Sequence, residues 1–155
     1  MLKKLTDYLD TNSVKYVVLK HSPAFTAQEI AASAHLPGKE LAKTVMVKVD
    51  GKMAMAVLPA SSMVDFARLR EGLGARGVEL ATEAEFKGLF PECEVGAMPP
   101  FGNLYNMTVV VDGRLKEDTE IAFNAGSHKE LVRLPYADFE RLAQPRILDF
   151  GSGRG

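Results

Sequence analysis

The sequence predicts an α+β fold: one domain with a curved, mixed, largely antiparallel sheet flanked by short helices. Three observations carry this. Apolar, β-rich runs recur at hairpin spacing, most clearly in ELAKTVMVKVDGKMAMAVLPA from Glu40 to Ala60. Short helical patterns with their own start signals lie between those runs rather than after them. No repeat, low-complexity stretch or composition shift divides the chain, so residues 1–150 read as one domain and 151–155, GSGRG, as a flexible tail.

The elements follow in order. Leu2, Leu5 and Leu9 recur at helical spacing with Lys3, Lys4, Asp7 and Asp10 on other faces, predicting a helix over 2–12. Tyr16 to His21 is β-rich and ends at Ser22-Pro23. Thr26 with Glu29 forms a capping-box pattern for a helix to about Ala34, stopped by Pro37-Gly38. Ala42–Val49 and Lys52–Leu58 read as strands around an Asp50-Gly51 turn. Ser61 or Ser62 is the expected cap of a helix through Leu69, and Val78–Ala81 a short strand. Thr82 with Glu85 is a second capping box, for a helix to Leu89 that Pro91 stops. Leu104–Val111 and Glu120–Asn124 read as strands around Asp112-Gly113. His128–Leu134 reads as a strand, Tyr136–Ala143 as a helix and Arg146–Phe150 as a last strand.

Bulk properties narrow the function. Apolar residues make up 46% and charged residues 25%, a balance that suits a packed water-soluble domain. The run without charge from Met53 to Val64 is too short for a bilayer span and contains Pro59, so no membrane partner is expected. The start, MLKKLTDYLDTNSV, lacks the apolar stretch of a signal peptide, and the single Cys93 excludes an internal disulfide. Both point to the cytoplasm. Nineteen basic against twenty acidic side chains give no basic excess. A protein gripping long nucleic acid neutralises many phosphates, so DNA is not an expected partner, and any RNA contact should be with a short end.

Three stretches carry candidate chemistry. In FNAGSHKELVRL, from Phe123 to Leu134, the small-residue corner Ala125-Gly126-Ser127 places a lone His128 between two strands. Such a corner has little side chain to bury, and offers open backbone NH groups beside an imidazole, as needed to hold a polarised or anionic oxygen. In the hairpin, alternation puts Lys43 on one face with Val45, Val47 and Val49, and Lys48 on the other, toward solvent. Lys43 reads either as a cation at a pocket mouth or as a strand-end residue whose stem snorkels to water. The third, Gly96 to Gly102 (GAMPPFG), has glycines at its ends and prolines that stiffen it. It reads as a plain turn or as a loop with outward NH groups, Met98 and Phe101 serving as a pocket wall.

Several chemistries lack a pattern. His21, His35 and His128 are scattered, and no spacing of Cys, His or Asp forms a metal site. Adjacent Ser127 and His128 point to opposite faces of a strand, which is wrong for a serine triad. Gly72, Gly74 and Gly77 follow a helix instead of a strand, so a dinucleotide loop fails.

Together and in this order, the three stretches resemble the YbaK/ProX family of aminoacyl-tRNA editing domains, from about Lys15 to Asp149. The resemblance implies an editing-domain fold and hydrolysis of the ester of a mischarged tRNA, with no metal and no cofactor. It places Lys43 at the family's catalytic lysine, Gly96 to Pro100 on its GxxxP loop and Gly126-Ser127-His128 on its GSH-type turn. HSPAFTAQEIA, from His21 to Ala31, is similar to the family's pocket-lining segment. Lys43, Gly96 and His128 are thereby the implied catalytic positions. Thr26, Met98, Pro100, Phe101, Gly126 and Ser127 are the implied substrate contacts. The implied partners are the acceptor end of a mischarged tRNA, held transiently, and an aminoacyl-tRNA synthetase. With no synthetase attached, the chain looks like a free-standing member. PPFG after Ala97-Met98 differs from the loops of the alanine- and cysteine-editing branches, leaving alanine, serine, threonine and cysteine open. The alternative is a non-catalytic module of this fold that binds an amino acid, a nucleotide or a synthetase.

Overall fold

The computed structural model describes residues 2–20 and 40–153. Helix α1, Lys3–Thr11, buries Leu5 and Leu9 and leaves Lys3, Lys4 and Asp7 outside, as its spacing predicts. Strand β1 is Val17–Lys20. The helix expected from Thr26, its Pro37-Gly38 stop, and the site residue Thr26 itself lie outside the described residues.

Strands β2, Ala42–Val49, and β3, Lys52–Pro59, form the expected antiparallel hairpin. Asp50 (φ 50°) and Gly51 (φ 84°) both take the left-handed conformation that a two-residue turn between right-twisted strands requires. The Asp50 carboxylate also accepts from the amides of Arg76 and Gly77, both at 2.9 Å. Strand β4 is Met63–Val64, and helix α2 is Phe66–Leu73. Neither Ser61 nor Ser62 caps that helix. Asp65 does, accepting from the Arg68 amide at 3.1 Å. Ser62 is fully buried and accepts from the Arg114 guanidinium at 2.8 Å, while Met63 and Val64 are drawn out by pairing with the chain's last strand.

Strand β5, Val78–Leu80, precedes helix α3, Glu83–Phe86, which Thr82 and Glu85 open with a full capping box. Then follow β6 (Thr108–Asp112), β7 (Glu120–Asn124), β8 (Glu130–Pro135), helix α4 (Tyr136–Ala143), β9 (Arg146–Leu148) and β10 (Gly151–Ser152). Leu104 and Tyr105, expected at the head of a strand, belong instead to a 3-10 turn over Gly102–Tyr105. Strands β6 and β7 do not pair around Asp112-Gly113. Asp112 instead caps a 3-10 turn over Gly113–Glu117 and accepts from the Gly151 amide. Gly151 and Ser152, expected in a flexible tail, therefore form an ordered strand against β4.

The fold class is the expected α+β. The strands divide among three ladders, of order β5-β2-β3-β6-β9, β1-β8-β7 and β10-β4. The first is mixed, because β6 runs parallel to β3 and β9 parallel to β6. The second is wholly antiparallel. One parallel bridge, Leu41 to Ala122, joins the first two. The main core packs Leu5, Leu9, Met55, Phe101, Phe123 and Phe139 together. A second cluster of Val47, Leu58, Leu69, Val110 and Phe150 fills the other face of the larger sheet.

Candidate active site

The site begins with two glycines that have little freedom to be anything else. Gly96 has φ +83° and Gly126 φ +93°, a region L side chains rarely enter. A Cβ on Gly126 would also lie 3.0 Å from Leu2 Cβ. Two backbone hydrogen bonds tie the segments together. The Gly126 amide donates to Ala97 O at 2.8 Å, and the Glu94 amide donates to Gly126 O at 2.9 Å. The loop at 94–97 and the corner at 125–128 are thus one assembly.

His128 closes it. Its Nε2 lies 2.6 Å from the Val95 carbonyl oxygen. A carbonyl only accepts, so Nε2 carries the hydrogen and Nδ1 is left free to accept in the neutral ring. A Cβ built on Gly96 would sit 3.5 Å from His128 Cε1, so the ring edge lies directly against that glycine. Ser127 spends its hydroxyl inside the turn, accepting from the Lys129 amide at 3.0 Å. Among the described residues, the amides of Gly96, Ser127 and His128 reach no acceptor.

Lys43 pairs across the hairpin with Leu58, on the strand face of Val45, Val47 and Val49. It is partly buried, and burial pushes its ammonium pKa below the ordinary lysine value. No carboxylate of the described residues forms an ion pair with it. Lys48, on the opposite face, is not simply solvated as expected. It pairs with Glu85 and, at 3.2 Å, with Glu79, and these contacts raise its pKa. The hydrogen bond from Lys48, with those from Thr82, holds the Glu85 carboxyl down at about 2.

The parallel bridge brings Lys43 toward the corner. Leu41 bridges Ala122, and Lys43 lies two residues after Leu41 while Ala125 lies three after Ala122. Two expected pocket residues are placed elsewhere. Phe101 is fully buried, its ring 6.0 Å from Tyr8, 5.7 Å from Phe123 and 5.6 Å from Phe139 in edge-to-face contacts. Met98 is buried in the same core. Both are core side chains rather than pocket wall: the loop turns its apolar residues inward, where they bury more area than a pocket lip allows. Pro100 is buried beside them.

Sequence reasoning missed the contacts that hold the assembly. Leu2 donates its amide to Ala125 O at 3.3 Å. Arg133 pairs with Glu40 at 3.1 Å and with Glu120 at 3.4 Å. A charged residue between Val132 and Leu134 was the available signal for the second. Among the described residues, no three His, Cys, Asp or Glu side chains are grouped so as to hold a metal ion.

Known proteins resemble this chain in sequence and in fold. The chain is 30% identical over 153 residues to the Multifunctional Ser/Thr-tRNA deacylase ProXp-y of Escherichia coli (strain K12), covering 96% of this chain and 91% of that one. It is 28% identical over 85 residues to a proline–tRNA ligase of Bacillus mycoides (strain KBAB4), covering 55% of this chain and 15% of the ligase. A crystal structure provisionally described as a trans-editing enzyme for prolyl tRNA synthetase superimposes with a TM-score of 0.82 at 19% identity, over 97% of this chain and 96% of that one. The pattern of the aminoacyl-tRNA editing domain matches residues 21–142, and the chain belongs to that family.

Proposed function

We propose that this protein is a trans-acting deacylase that hydrolyses the ester between a small amino acid and the 3′ end of a mischarged tRNA. The observation that carries the reading is the lock between the Gly96 loop and the His128 corner, with Lys43 on the neighbouring strand. The lock offers open amides and an imidazole with a free Nδ1, and in this reading Lys43 supplies a partly buried cation.

Those groups match the needs of the reaction. An aminoacyl ester is already activated, so the protein has to hold it, polarise its carbonyl and admit water. Water adds to the carbonyl carbon, the bond to the ribose oxygen breaks, and that oxygen takes up a proton. Free amino acid and intact tRNA result. The Lys43 ammonium meets the terminal phosphate or the carbonyl oxygen. The Gly96 amide faces the developing charge or the attacking water. His128 and its corner hold the terminal adenosine, with Nδ1 accepting from a hydroxyl. The ribose 2′-hydroxyl assists in place of a side-chain base.

Serine and threonine are the amino acids to try first, since the Escherichia coli relative is named for them. Alanine and cysteine complete the set. The encounter is with the acceptor end alone, in the cytoplasm, consistent with a net charge of −1. A synthetase that releases the mischarged tRNA is the fitting partner. The test is a panel of Ser-, Thr-, Ala- and Cys-charged tRNAs incubated with purified protein and followed by release of amino acid. Turnover of at least one, lost in Lys43→Ala, is the expected result. Binding of charged tRNA without hydrolysis of any would replace the deacylase by a non-catalytic binding module.

A further inference from the structure

Lys43 and His128 belong to different ladders. Lys43 is on β2 of the larger sheet, and His128 is on the connection between β7 and β8 of the antiparallel sheet. Their separation is set where those ladders meet. The backbone contributes little there, because the bridge from Leu41 to Ala122 is isolated. Side chains supply the rest. Arg133, in the middle strand of the antiparallel sheet, is paired in register with Ala122, the residue that bridges to Leu41. Its Nη2 reaches over that strand to Glu40 Oε1 at 3.1 Å and also meets Glu120 Oε1 at 3.4 Å. Glu40 is the residue before Leu41, and its side chain is only 13% exposed. A carboxylate so placed needs the guanidinium to offset its lost hydration, so the pair is held in position.

We infer that Arg133 is a positioning residue for Lys43: its ion pair with Glu40 and the Leu41–Ala122 bridge form one clamp that fixes the lysine strand against the His128 corner. The inference rests on the deacylase reading. Arg133 touches no reacting atom in this scheme. It sets the offset of β2, on which Lys43 lies three residues after Glu40, just beyond the start of the strand. Displacement of a reacting group by about an ångström can cost on the order of 100-fold in rate.

The experiment is single-turnover deacylation, at saturating enzyme, of whichever mischarged tRNA the panel identifies. Lys43→Ala, Arg133→Ala, Arg133→Lys, Glu40→Gln and the reversed pair Glu40→Arg/Arg133→Glu are compared with wild type. Arg141→Ala serves as a control, since it removes an ion pair with Asp138 on α4, away from the junction. Arg133→Ala is expected to lose roughly 10- to 100-fold in rate constant per folded molecule. Its half-saturating enzyme concentration should stay within about twofold, because Arg133 contacts no tRNA in this scheme. Arg133→Lys and the reversed pair should recover part of the loss. Should Arg133→Ala not fold, Glu40→Gln is nearly isosteric and should still lose rate at unchanged half-saturation. A clamp of purely structural value would change the folded fraction and leave the rate of folded molecules intact, overturning the inference. Wild-type rates in Arg133→Ala with Lys43→Ala inactive would overturn the positioning role alone. Full activity in Lys43→Ala would remove the deacylase mechanism and this inference with it.

Discussion

The Nε2 hydrogen of His128 is committed to the Val95 carbonyl, and the Cε1–Nε2 edge of its ring lies against Gly96, leaving Nδ1 as the acceptor. The orientation is fixed by the loop before any substrate arrives. His128→Ala removes one oriented acceptor and also frees the Val95 carbonyl. A single neutral hydrogen bond of this kind contributes on the order of 1 kcal/mol, so turnover should fall about fivefold to tenfold. Steady-state deacylation on the folded protein checks this, and an unchanged rate would remove the imidazole from the site.

Lys43 and Lys48 should separate cleanly. Lys43→Ala is expected to abolish deacylation with the fold retained. Lys48→Ala should be near neutral in turnover and lower the melting temperature slightly, since it strips Glu79 and Glu85 of their cation. The same contacts give Glu85 a depressed pKa of about 2, so their stabilising effect is present above the ordinary carboxylate pKa and is lost as pH falls through about 2. Comparable losses of turnover in the two variants would contradict the face assignment.

The pH dependence carries a sign. Burial lowers the Lys43 pKa, so the unfolded chain holds the proton more tightly than the folded one. Stability attributable to this group therefore rises with pH from the folded pKa up to the unfolded pKa. Activity that needs the ammonium moves the other way, falling as pH rises, and does so below the pH at which an ordinary lysine titrates. A single-turnover rate profile, corrected for spontaneous ester hydrolysis, should show that early decline in wild type. In Lys43→Arg the charge persists and the decline should vanish.

Gly96→Ala should act twice. The positive φ costs about 1 kcal/mol of stability, whatever the space. The added methyl would sit in van der Waals contact with the His128 ring edge, where the open amide and imidazole meet. Thermal unfolding and single-turnover deacylation on one preparation distinguish the effects. Both should fall, and lost stability with an unchanged rate of the folded fraction would leave the glycine a purely conformational role.

Phe101→Ala tests the reassignment of that residue from pocket to core. Removing a fully buried ring from the contacts with Tyr8, Phe123 and Phe139 should cost about 3–5 kcal/mol. The folded fraction should deacylate normally. A selective loss of tRNA affinity, with denaturation midpoint unchanged, would restore Phe101 to the pocket.

What was legible in the sequence is what local chemistry decides. The hairpin over 42–59 follows from alternation plus Asp50-Gly51, helix α4 from its apolar spacing, and the Thr82–Glu85 box from side chains three residues apart. Asp65 was overlooked as a cap because nothing nearby reveals that Arg114, 52 positions away, claims Ser62. Strand β6 finds its partner in β3 rather than β7, a parallel pairing that leaves no turn signal. At the site, Gly96, Gly126 and His128 were identifiable as small or titratable residues at chain corners. Whether Met98 and Phe101 face a ligand or the interior was not, since both environments are apolar. Glu40 and Arg133, 93 positions apart, meet only after the two ladders dock.

The junction between those ladders has a mechanical consequence. Each sheet is cross-linked internally by a register of hydrogen bonds, whereas among the described residues they are joined by the Leu41–Ala122 bridge, the Glu40–Arg133 ion pair and packed side chains. The two sheets therefore meet at a joint held mainly by side chains rather than by backbone rungs. A small shear at that joint would alter the reach from the lysine to the imidazole without breaking a rung of either ladder. Substrate that touches both sheets would strain or relax the joint as it binds, so the docking of the tRNA end and the gathering of the reacting groups become one motion.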